Sequence, residues 1–385
     1  MFSSRVPGDR RANAFSAALT RARARGPLVD LTVTNPTRAG IEYPPDLLAP
    51  LADAAGLRYE PTAFGVAHAR EAVAETYARR GLAIGAGRIA LTASTSEAYS
   101  LLFKLLCEPG GSRVLTPAPS YPLFDHLTSL DGVEQAHYAL DFHGEWAIDV
   151  HSVDEAWTPE TRAVLAVTPN NPTGSILRDG DAGELVTRAA ARRAAVILDE
   201  VFIDYPLGAA LPEAAALRDP AALTFRLGGL SKAVGLPQLK LGWIAVQGPE
   251  PLAAEAMDRL EVICDTYLSV ATPVQLAARS LLQQGKVVRE QILARVRHNY
   301  RTLAAAVGGG ATVLPADAGW SGVVRLPATL SDEAVALDLL DRDAVVVHPG
   351  YFFDFRHEAL VVSLLPVPEQ FARGVQLLQD RLNAA

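Results

Sequence analysis

The sequence has only two cysteines, Cys107 and Cys264, in 385 residues. They are too few and too far apart for a disulfide framework or a thiolate zinc site. We therefore expect both to be small buried side chains in a reduced compartment, the cytoplasm. The eight histidines show no metal-ligand spacing, so no metal site is predicted. No apolar run approaches the ~20 residues that cross a bilayer, so no membrane span is predicted.

Positive charge is not in excess either. Lysine and arginine total 35 against 43 acidic residues, which gives a net charge of −8. This balance argues against a general nucleic-acid or anionic-membrane surface, although it permits a local basic pocket for a phosphate. With 49% hydrophobic and 20% charged residues, the composition is that of a globular protein. The length allows one large domain or two modest ones.

The N-terminal segment Met1–Arg25 is rich in arginine and nearly free of acidic residues, a bias that transit peptides share. Its apolar residues nevertheless fall at helical spacing. They are Phe15, Ala18, Leu19 and Ala22. This spacing favours an arm helix that packs on the body of the protein.

Short apolar runs alternate with helical stretches through the middle of the chain. The predicted strands are Arg88–Thr92, Arg113–Thr116, Ala163–Thr168, Ala195–Asp199, Thr224–Leu227 and Leu241–Val246. Helical patterns cover Ser94–Cys107 and Asp179–Arg193. Buried strands separated by helices predict an α/β fold, a mostly parallel sheet with helices on both faces.

The pattern changes beyond about Gln275. A long helical stretch, Pro273–Val307, leads to Gly308-Gly309-Gly310 and then to alternating strands and helices. We predict a large cofactor-binding domain over residues 41–275. Residues 1–40 and 276–385 then form a smaller α+β domain that includes the N-terminal arm.

Polar residues follow the carboxyl ends of the predicted strands. These groups are Ser94-Thr95-Ser96, Pro119-Ser120-Tyr121, Asn170-Asn171, Asp199 and Ser231-Lys232. Ligands of parallel sheets bind at the carboxyl ends of the strands. We therefore expect these groups to converge on a single site.

The glycine-rich turn Gly228-Gly229-Leu230-Ser231-Lys232, with Lys240 beyond it, is the most informative stretch. A lysine with a hydroxyl beside it and a second cation beyond suits a Schiff base to a phosphorylated aldehyde such as pyridoxal phosphate. Serine–lysine pairs on glycine turns are common, so the pattern needs support from other segments.

The segment Ser94-Thr95-Ser96-Glu97 has two compatible interpretations. It reads as a capping box in which Ser94 caps a helix and Glu97 reaches back. It also suits a phosphate cradle at a helix N-terminus. Because Ser231 and Lys240 can complete an anion site, we favour the phosphate.

Asp199 ends an apolar strand, where a carboxylate is unfavourable unless it is paired. A protonated pyridine nitrogen is a suitable partner. The neighbouring Glu200 also suits a nucleotide hydrolase, but the chain lacks G-x-x-x-x-G-K-[ST].

Asn171 lies in a turn-forming segment and can donate to a phenolate oxygen. Tyr121 is either a core aromatic or a side chain that stacks on a pyridine face.

Together these motifs resemble the class I/II aminotransferases among the fold-type I pyridoxal-phosphate enzymes, over nearly the whole chain. YEPTAFGVAHAR (Tyr59–Arg70) is similar to the family's tyrosine–glycine–arginine opening. LTASTSEAYSLLFKLLCEPGGSRVLTPAPSYPLF follows its phosphate helix and aromatic loop. AVTPNNPTGSIL, VILDEVF and GGLSKAVGLPQLKLGW resemble its most specific motifs, in the family's order.

The resemblance implies that pyridoxal 5′-phosphate is the cofactor and that Lys232 carries the internal aldimine and moves the substrate proton. Asp199 would pair with the pyridine nitrogen, Asn171 would bond the ring oxygen, and Tyr121 would stack on the ring. The phosphate would be held by Ser94, Thr95, Ser96, Ser231 and Lys240. Tyr59 would reach the phosphate of a partner subunit, which implies a homodimer with shared active sites.

Three departures from the family pattern affect the expected chemistry. Phe202 stands where the family usually has a tyrosine that supports the ring oxygen, so the aldimine pKa should rise. Gly229 and Lys240 replace a common serine and arginine at the phosphate, which removes the bidentate fork. Val361 stands where the family has an arginine that clamps the substrate α-carboxylate.

A different cation could therefore bind the substrate carboxylate. Arg38, on the loop after Asn35-Pro36-Thr37, is the first substitute, with Asn35 beside it. Arg325 and Arg356 are weaker candidates.

The resemblance implies an aminotransferase that moves an amino group from an amino acid or related amine to a keto acid in a ping-pong cycle. A β-eliminating lyase or related carbanion enzyme would use the same cofactor. The third alternative is a non-catalytic cofactor-binding protein. Neither nucleic acid nor a membrane is an expected partner.

Overall fold

The computed structural model describes residues 2–8, 11 and 13–384. The predicted N-terminal arm also includes Met1, Asp9, Arg10 and Ala12, and the predicted small domain ends at Ala385. These five positions lie outside the described residues.

The described chain alternates helices and strands. The helices are α1 (Ala14–Arg25), α2 (Ala67–Arg79), α3 (Thr95–Leu106), α4 (Phe124–Asp131), α5 (Val150–Ala156), α6 (Asp179–Ala191), α7 (Ala215–Arg218), α8 (Leu230–Ala233), α9 (Glu250–Tyr267), α10 (Thr272–Gln284), α11 (Lys286–Ala306), α12 (Asp332–Arg342) and α13 (Pro368–Ala384). The strands are β1 (Val29–Asp30), β2 (Ile89–Thr92), β3 (Arg113–Ala118), β4 (Glu134–Phe142), β5 (Trp146–Ile148), β6 (Thr161–Val167), β7 (Ala195–Asp199), β8 (Thr224–Gly229), β9 (Gly242–Gln247), β10 (Thr312–Val313), β11 (Ser321–Arg325), β12 (Val345–Val346), β13 (His348–Pro349) and β14 (Ala359–Ser363). No helix among the described residues combines the length and the hydropathy that crossing a bilayer requires.

The large sheet has eight strands in the order β2-β9-β8-β7-β6-β3-β4-β5. Its central strands β8, β7, β6, β3 and β4 run parallel. β9 is antiparallel to both of its neighbours, β2 and β8, and β5 is an antiparallel edge strand. The prediction of a mostly parallel sheet is therefore confirmed.

Helices cover both faces of this sheet. Successive residues of a strand point to opposite faces, so each strand packs against helices on both sides. Ile197 of β7 packs in a core with residues of α3 and α9 on one face. Its neighbours Val196 and Leu198 pack with residues of α5 and α6 on the other. The near-continuous apolar runs found in the sequence follow from this double burial.

Each of the six predicted strands is present, with bounds that differ by one or two residues at some ends. Sequence reasoning missed β4 and β5. Only two residues of β4 are fully buried, so it lacks the apolar run that marks the other strands. The predicted helix Pro273–Val307 divides at Gly285 into α10 and α11.

A second sheet of four strands has the order β10-β11-β14-β13. The N-terminal segment joins this part of the chain through β1, which pairs in parallel with β12. The predicted arm helix is confirmed as α1, which buries Phe15, Ala18 and Ala22. The Phe15 ring meets the Phe352 ring edge to face, with centroids 5.5 Å apart. The domain limits at residues 41 and 275 remain a prediction.

Candidate active site

A cavity of about 280 Å³ opens at the carboxyl ends of β2, β6, β7 and β8. Ten of the predicted site residues line it. They are Ser94, Thr95, Ser96, Tyr121, Asn171, Asp199, Phe202, Ser231, Lys232 and Lys240. Because parallel strands place their carboxyl ends at one edge of the sheet, residues distant in sequence meet there.

Asp199 lies at the end of β7 with only 8% of its surface exposed. One carboxylate oxygen accepts a hydrogen bond from the Tyr99 hydroxyl at 2.9 Å, and the other accepts from the Val201 N–H at 3.1 Å. Burial raises the pKa of Asp199 from 3.8 to about 6, and these two hydrogen bonds oppose the rise. A positive partner in the cavity would therefore stabilise the ionised carboxylate.

Lys232 lies on the short helix α8, directly after β8. Gly228, the next-to-last residue of this strand, lies against Trp243, where a Cβ atom would come within 2.7 Å of the indole ring, so the position requires glycine. In the described part of the chain the Nζ atom of Lys232 has no hydrogen-bond or ion-pair partner. Burial lowers the pKa of Lys232 to about 8, and the charge of Asp199 opposes that shift. The amine is therefore partly neutral at physiological pH.

The N-terminus of α3 forms one wall of the cavity. The Ser94 hydroxyl accepts from the Glu97 N–H at 3.1 Å, as the capping prediction requires. Glu97 reaches back one residue further than predicted, since it accepts from the Ala93 N–H at 2.6 Å. The hydroxyls of Thr95 and Ser96 have no partner among the described residues. Helix N-termini with free donors are suited to phosphate.

The two asparagines of the turn after β6 differ in their contacts. Asn170 is buried and holds the neighbouring loop, because its amide donates to the Pro119 carbonyl at 3.0 Å and accepts from the Ser120 hydroxyl at 3.0 Å. Asn171 lines the cavity, where its oxygen accepts from the Ser321 hydroxyl at 3.2 Å. Its amide N–H groups have no partner in the described chain, which leaves them available to a ligand oxygen.

Lys240 has a left-handed backbone conformation, with φ of 50°. Residues other than glycine rarely adopt this backbone conformation, and those that do cluster at functional sites. Lys240 and Lys232 are the cationic side chains among the described residues that line the cavity.

Three predicted residues do not line the cavity. Tyr59 is 73% exposed, and Asn35 instead caps a short 3₁₀ turn by accepting from the Thr37 N–H at 3.0 Å. Arg38 is exposed on the same loop, which reaches the cavity through Thr34. Their proposed roles at a partner's phosphate and at the substrate remain predictions.

Val361 is buried in an apolar cluster with Trp146, Val323 and Phe353. It does not line the cavity. The alternative arginines are also remote from the cavity lining: Arg325 lies over the Phe142 ring, and Arg356 pairs with Asp141 at 4.0 Å.

Sequence reasoning missed Tyr99, Trp320 and Ser321. Tyr99 is four residues into α3 and is separated by 100 residues from Asp199, to which it donates. Ser321 is the first residue of β11 in the second sheet and Trp320 directly precedes it, and neither belongs to a recognisable sequence motif. Of the three, only Tyr99 had a usable sequence signal, because it lies one turn beyond the helix start that the sequence marked as a phosphate site.

Glu200, next to Asp199, belongs to a buried ion-pair network. Its carboxylate meets Arg80 and Arg226 at 2.6 Å each, and both arginines also meet Glu213 at 2.8 Å. Burial alone would raise the pKa of Glu200, but the two arginines hold it below its ordinary value. Glu200 is thus a structural residue of the sheet.

The side chains of the cavity fit pyridoxal phosphate. An acceptor stands at Asp199, a free amide donor at Asn171, a primary amine at Lys232, and free hydroxyls at the start of α3. The aromatic ring of Tyr121 borders the same space. Each polar group of the cofactor therefore has a residue of matching chemistry.

Comparisons with known proteins identify the family of the chain. The pattern of the family "aminotransferase class I and II" matches residues 30–369. The chain is 26% identical to the glutamate-pyruvate aminotransferase of Haemophilus influenzae, over 92% of this chain and 91% of that protein. It is 27% identical to the alanine aminotransferase of Mycobacterium tuberculosis, over 92% and 85% of the two chains.

Solved structures show the same fold. The alanine aminotransferase of Pyrococcus furiosus superposes with a TM-score of 0.87 at 21% identity and covers 100% of both chains. A Thermus thermophilus aspartate aminotransferase mutant superposes with a TM-score of 0.85 at 21% identity and covers 99% of both. Since the family match extends over most of the sequence, the chain belongs to the class I and II aminotransferases, enzymes that transfer amino groups.

Proposed function

We propose that this aminotransferase uses pyridoxal 5′-phosphate to move an amino group from an amino acid, or a related amine, to a keto acid. The observation that carries the proposal is the meeting of Lys232 and Asp199 in one cavity whose wall is the N-terminus of α3. When bound, the cofactor supplies an electron sink that makes the proton on the substrate carbon removable.

Lys232 would hold the cofactor covalently and then serve as base and acid for that proton. A general base works best with a pKa near the operating pH. The pKa of Lys232, about 8 because of burial, lies close to that range. The Nζ atom has no hydrogen-bond or ion-pair partner in the described chain, so no such bond has to break before the amine reacts.

Asp199 would pair with the pyridine nitrogen, and its two hydrogen bonds would hold the carboxylate in position. Asn171 would donate to the ring oxygen, and Tyr121 would pack on the ring. The phosphate would be bound by Ser94, Thr95, Ser96, Ser231 and Lys240. In this arrangement each residue orients or neutralises one part of the cofactor.

The substrate assignment is supported by the names of the relatives, which include glutamate-pyruvate and alanine aminotransferases. We propose alanine, glutamate and their keto acids as first candidates. Arg38 and Asn35 are proposed to approach the substrate, since the loop that carries them reaches the cavity at Thr34.

We also propose a homodimer in which Tyr59 of each subunit reaches the other subunit's phosphate. The 73% exposure of Tyr59 supports this assignment, because the side chain is available to a second copy.

A reduced, cytoplasmic location is proposed from Cys107 and Cys264, which are free and buried. The proposed division into residues 41–275 and the remainder is supported by the separation of the two larger sheets along the chain.

The test is spectroscopic. Purified protein is loaded with pyridoxal phosphate, and its visible absorption is followed while amino acids and simple amines are added singly. The proposal expects one donor to bleach the visible band and a keto acid to restore it. The Lys232→Ala variant should do neither. A band that no donor converts would refute amino transfer, and release of ammonia would indicate an eliminating lyase instead.

A further inference from the structure

Two aromatic rings face the amine of Lys232. Its Nζ atom lies 4.7 Å from the centre of the Trp320 ring and 5.6 Å from that of Phe202. The two rings meet edge to face, with centroids 5.4 Å apart and planes at 67°. Both side chains are buried, Trp320 with 2% and Phe202 with 8% of its surface exposed. The nitrogen itself is therefore in range of the ring faces.

The position of Trp320 is set by contacts between the two larger sheets. The residue precedes β11 of the second sheet, yet the preceding segment is hydrogen-bonded to loops of the first. The N–H of Ala318 donates to the Gly174 carbonyl at 3.0 Å, and the N–H of Gly319 donates to the Tyr205 carbonyl at 2.9 Å. The Tyr205 ring then meets the Trp320 ring at 5.0 Å. These contacts restrain the indole against movement away from Lys232.

Several titratable groups surround Lys232. Asp199, Tyr121 and Lys240 share the cavity, and the Tyr205 hydroxyl donates to the Lys232 backbone carbonyl. Of these, Asp199 favours the ammonium by its charge. An ammonium over a desolvated ring face is stabilised by the ring quadrupole, and tryptophan gives the strongest effect. The two rings thus act in the same direction as Asp199.

We infer that Trp320, supported by Phe202, is a positioning residue that holds the free amine of Lys232 over its ring and favours the ammonium form. The inference rests on the proposed function, in which Lys232 receives a proton from the substrate carbon. The resulting ammonium then has a fixed location although the described chain offers its Nζ no hydrogen-bond acceptor. Trp320 contacts Lys232 and affects the proton transfer only through the position and charge of that lysine.

The experiment measures the titration of Lys232 in the cofactor-free protein. The rate of modification by an amine-selective acylating reagent is followed against pH, and the Lys232 peptide is quantified by mass spectrometry. Trp320→Leu removes the ring face and should lower the apparent pKa of Lys232 by about one unit. Trp320→Phe keeps a weaker face and should lower it by less. The indole N–H of Trp320 has no partner in the described chain, so the phenylalanine variant removes no hydrogen bond.

Trp146 provides a matched control. It is also buried, its indole N–H is also without a partner among the described residues, and it lies outside the cavity. Trp146→Leu should leave the Lys232 titration unchanged. An equal shift in both leucine variants, or no shift in Trp320→Leu, would overturn the inference. If Trp320→Leu does not fold, Phe202→Leu tests the second ring and should lower the pKa by a smaller amount. An unchanged pKa of Lys232 in Phe202→Leu would then overturn the inference.

These outcomes are separable from those of the proposed function. The titration uses protein without cofactor and requires no turnover. A wild-type protein that fails to transfer amino groups would refute the proposed function by the spectroscopic test. An unchanged Lys232 titration in an active enzyme would refute the role of Trp320 alone.

Discussion

Replacing Asp199 by asparagine should stabilise the cofactor-free protein at neutral and alkaline pH. Burial raises the pKa of Asp199 to about 6, against an ordinary value of 3.8. Because the folded state has the higher pKa, the contribution of this group to stability is fully present below about pH 4 and is lost as pH rises through about 6. A difference of about two units corresponds to about 3 kcal/mol at about pH 8.

The substitution is close to isosteric and can keep both hydrogen bonds. The asparagine oxygen can accept from the Val201 N–H, as one carboxylate oxygen does now. Its amide can donate to the Tyr99 hydroxyl, which is the donor in the present bond. The main change is therefore the removal of a buried negative charge.

The assay is urea denaturation of the cofactor-free wild-type and Asp199→Asn proteins between about pH 5 and about pH 8, with the free energy of unfolding compared at each pH. The advantage of the variant should grow with pH towards about 3 kcal/mol. Tyr99→Phe serves as the opposite control. It removes a donor that stabilises the carboxylate, so it should lower stability most at high pH. A stability difference between Asp199→Asn and wild type that does not change with pH would refute the reasoning. Added pyridoxal phosphate should stabilise the wild type more than the asparagine variant, because the variant lacks the charged partner.

Other substitutions test separate parts of the structure. Glu200→Gln leaves Arg226 buried without its full charge partner and should lower the free energy of unfolding by about 3–5 kcal/mol, measured in urea; a loss under about 1 kcal/mol would contradict the network's role. Lys240→Gln should weaken pyridoxal-phosphate binding by about tenfold in equilibrium dialysis, since a charge-assisted contact is lost; unchanged affinity would remove Lys240 from the phosphate site. Arg38→Gln should raise KM for an amino-acid donor more than it lowers kcat, whereas Arg356→Gln, a comparable exposed arginine, should leave both unchanged; equal effects would exclude Arg38 as the carboxylate ligand.

The predicted strands and most of the lining of the candidate site follow from local sequence. Buried parallel strands appear in the sequence as short apolar runs, and the polar residues that follow them lie at one edge of the sheet. Asp199 ends such a run, and Asn171 and Lys232 each follow one, so their convergence was predictable. The start of α3 was predictable because a capping serine has a local signature.

Features that depend on distant parts of the chain could not be predicted in this way. The antiparallel direction of β9 is decided by its partners β2 and β8. β4 lacks an apolar run because most of its residues are only partly buried. The structural role of Glu200 could not be predicted either, because its buried partners Arg80 and Arg226 come from other elements.

By itself the sequence determined which side chains end the central strands and hence the chemistry that those side chains can offer. Only the tertiary structure decided their surroundings. Tyr99 donates to Asp199 across 100 residues of sequence, and Trp320 reaches Lys232 because its segment is hydrogen-bonded to loops of the other sheet. The pKa of a buried group depends on desolvation and on neighbours at a few ångströms, and those neighbours are brought together by packing between elements that are far apart in the chain.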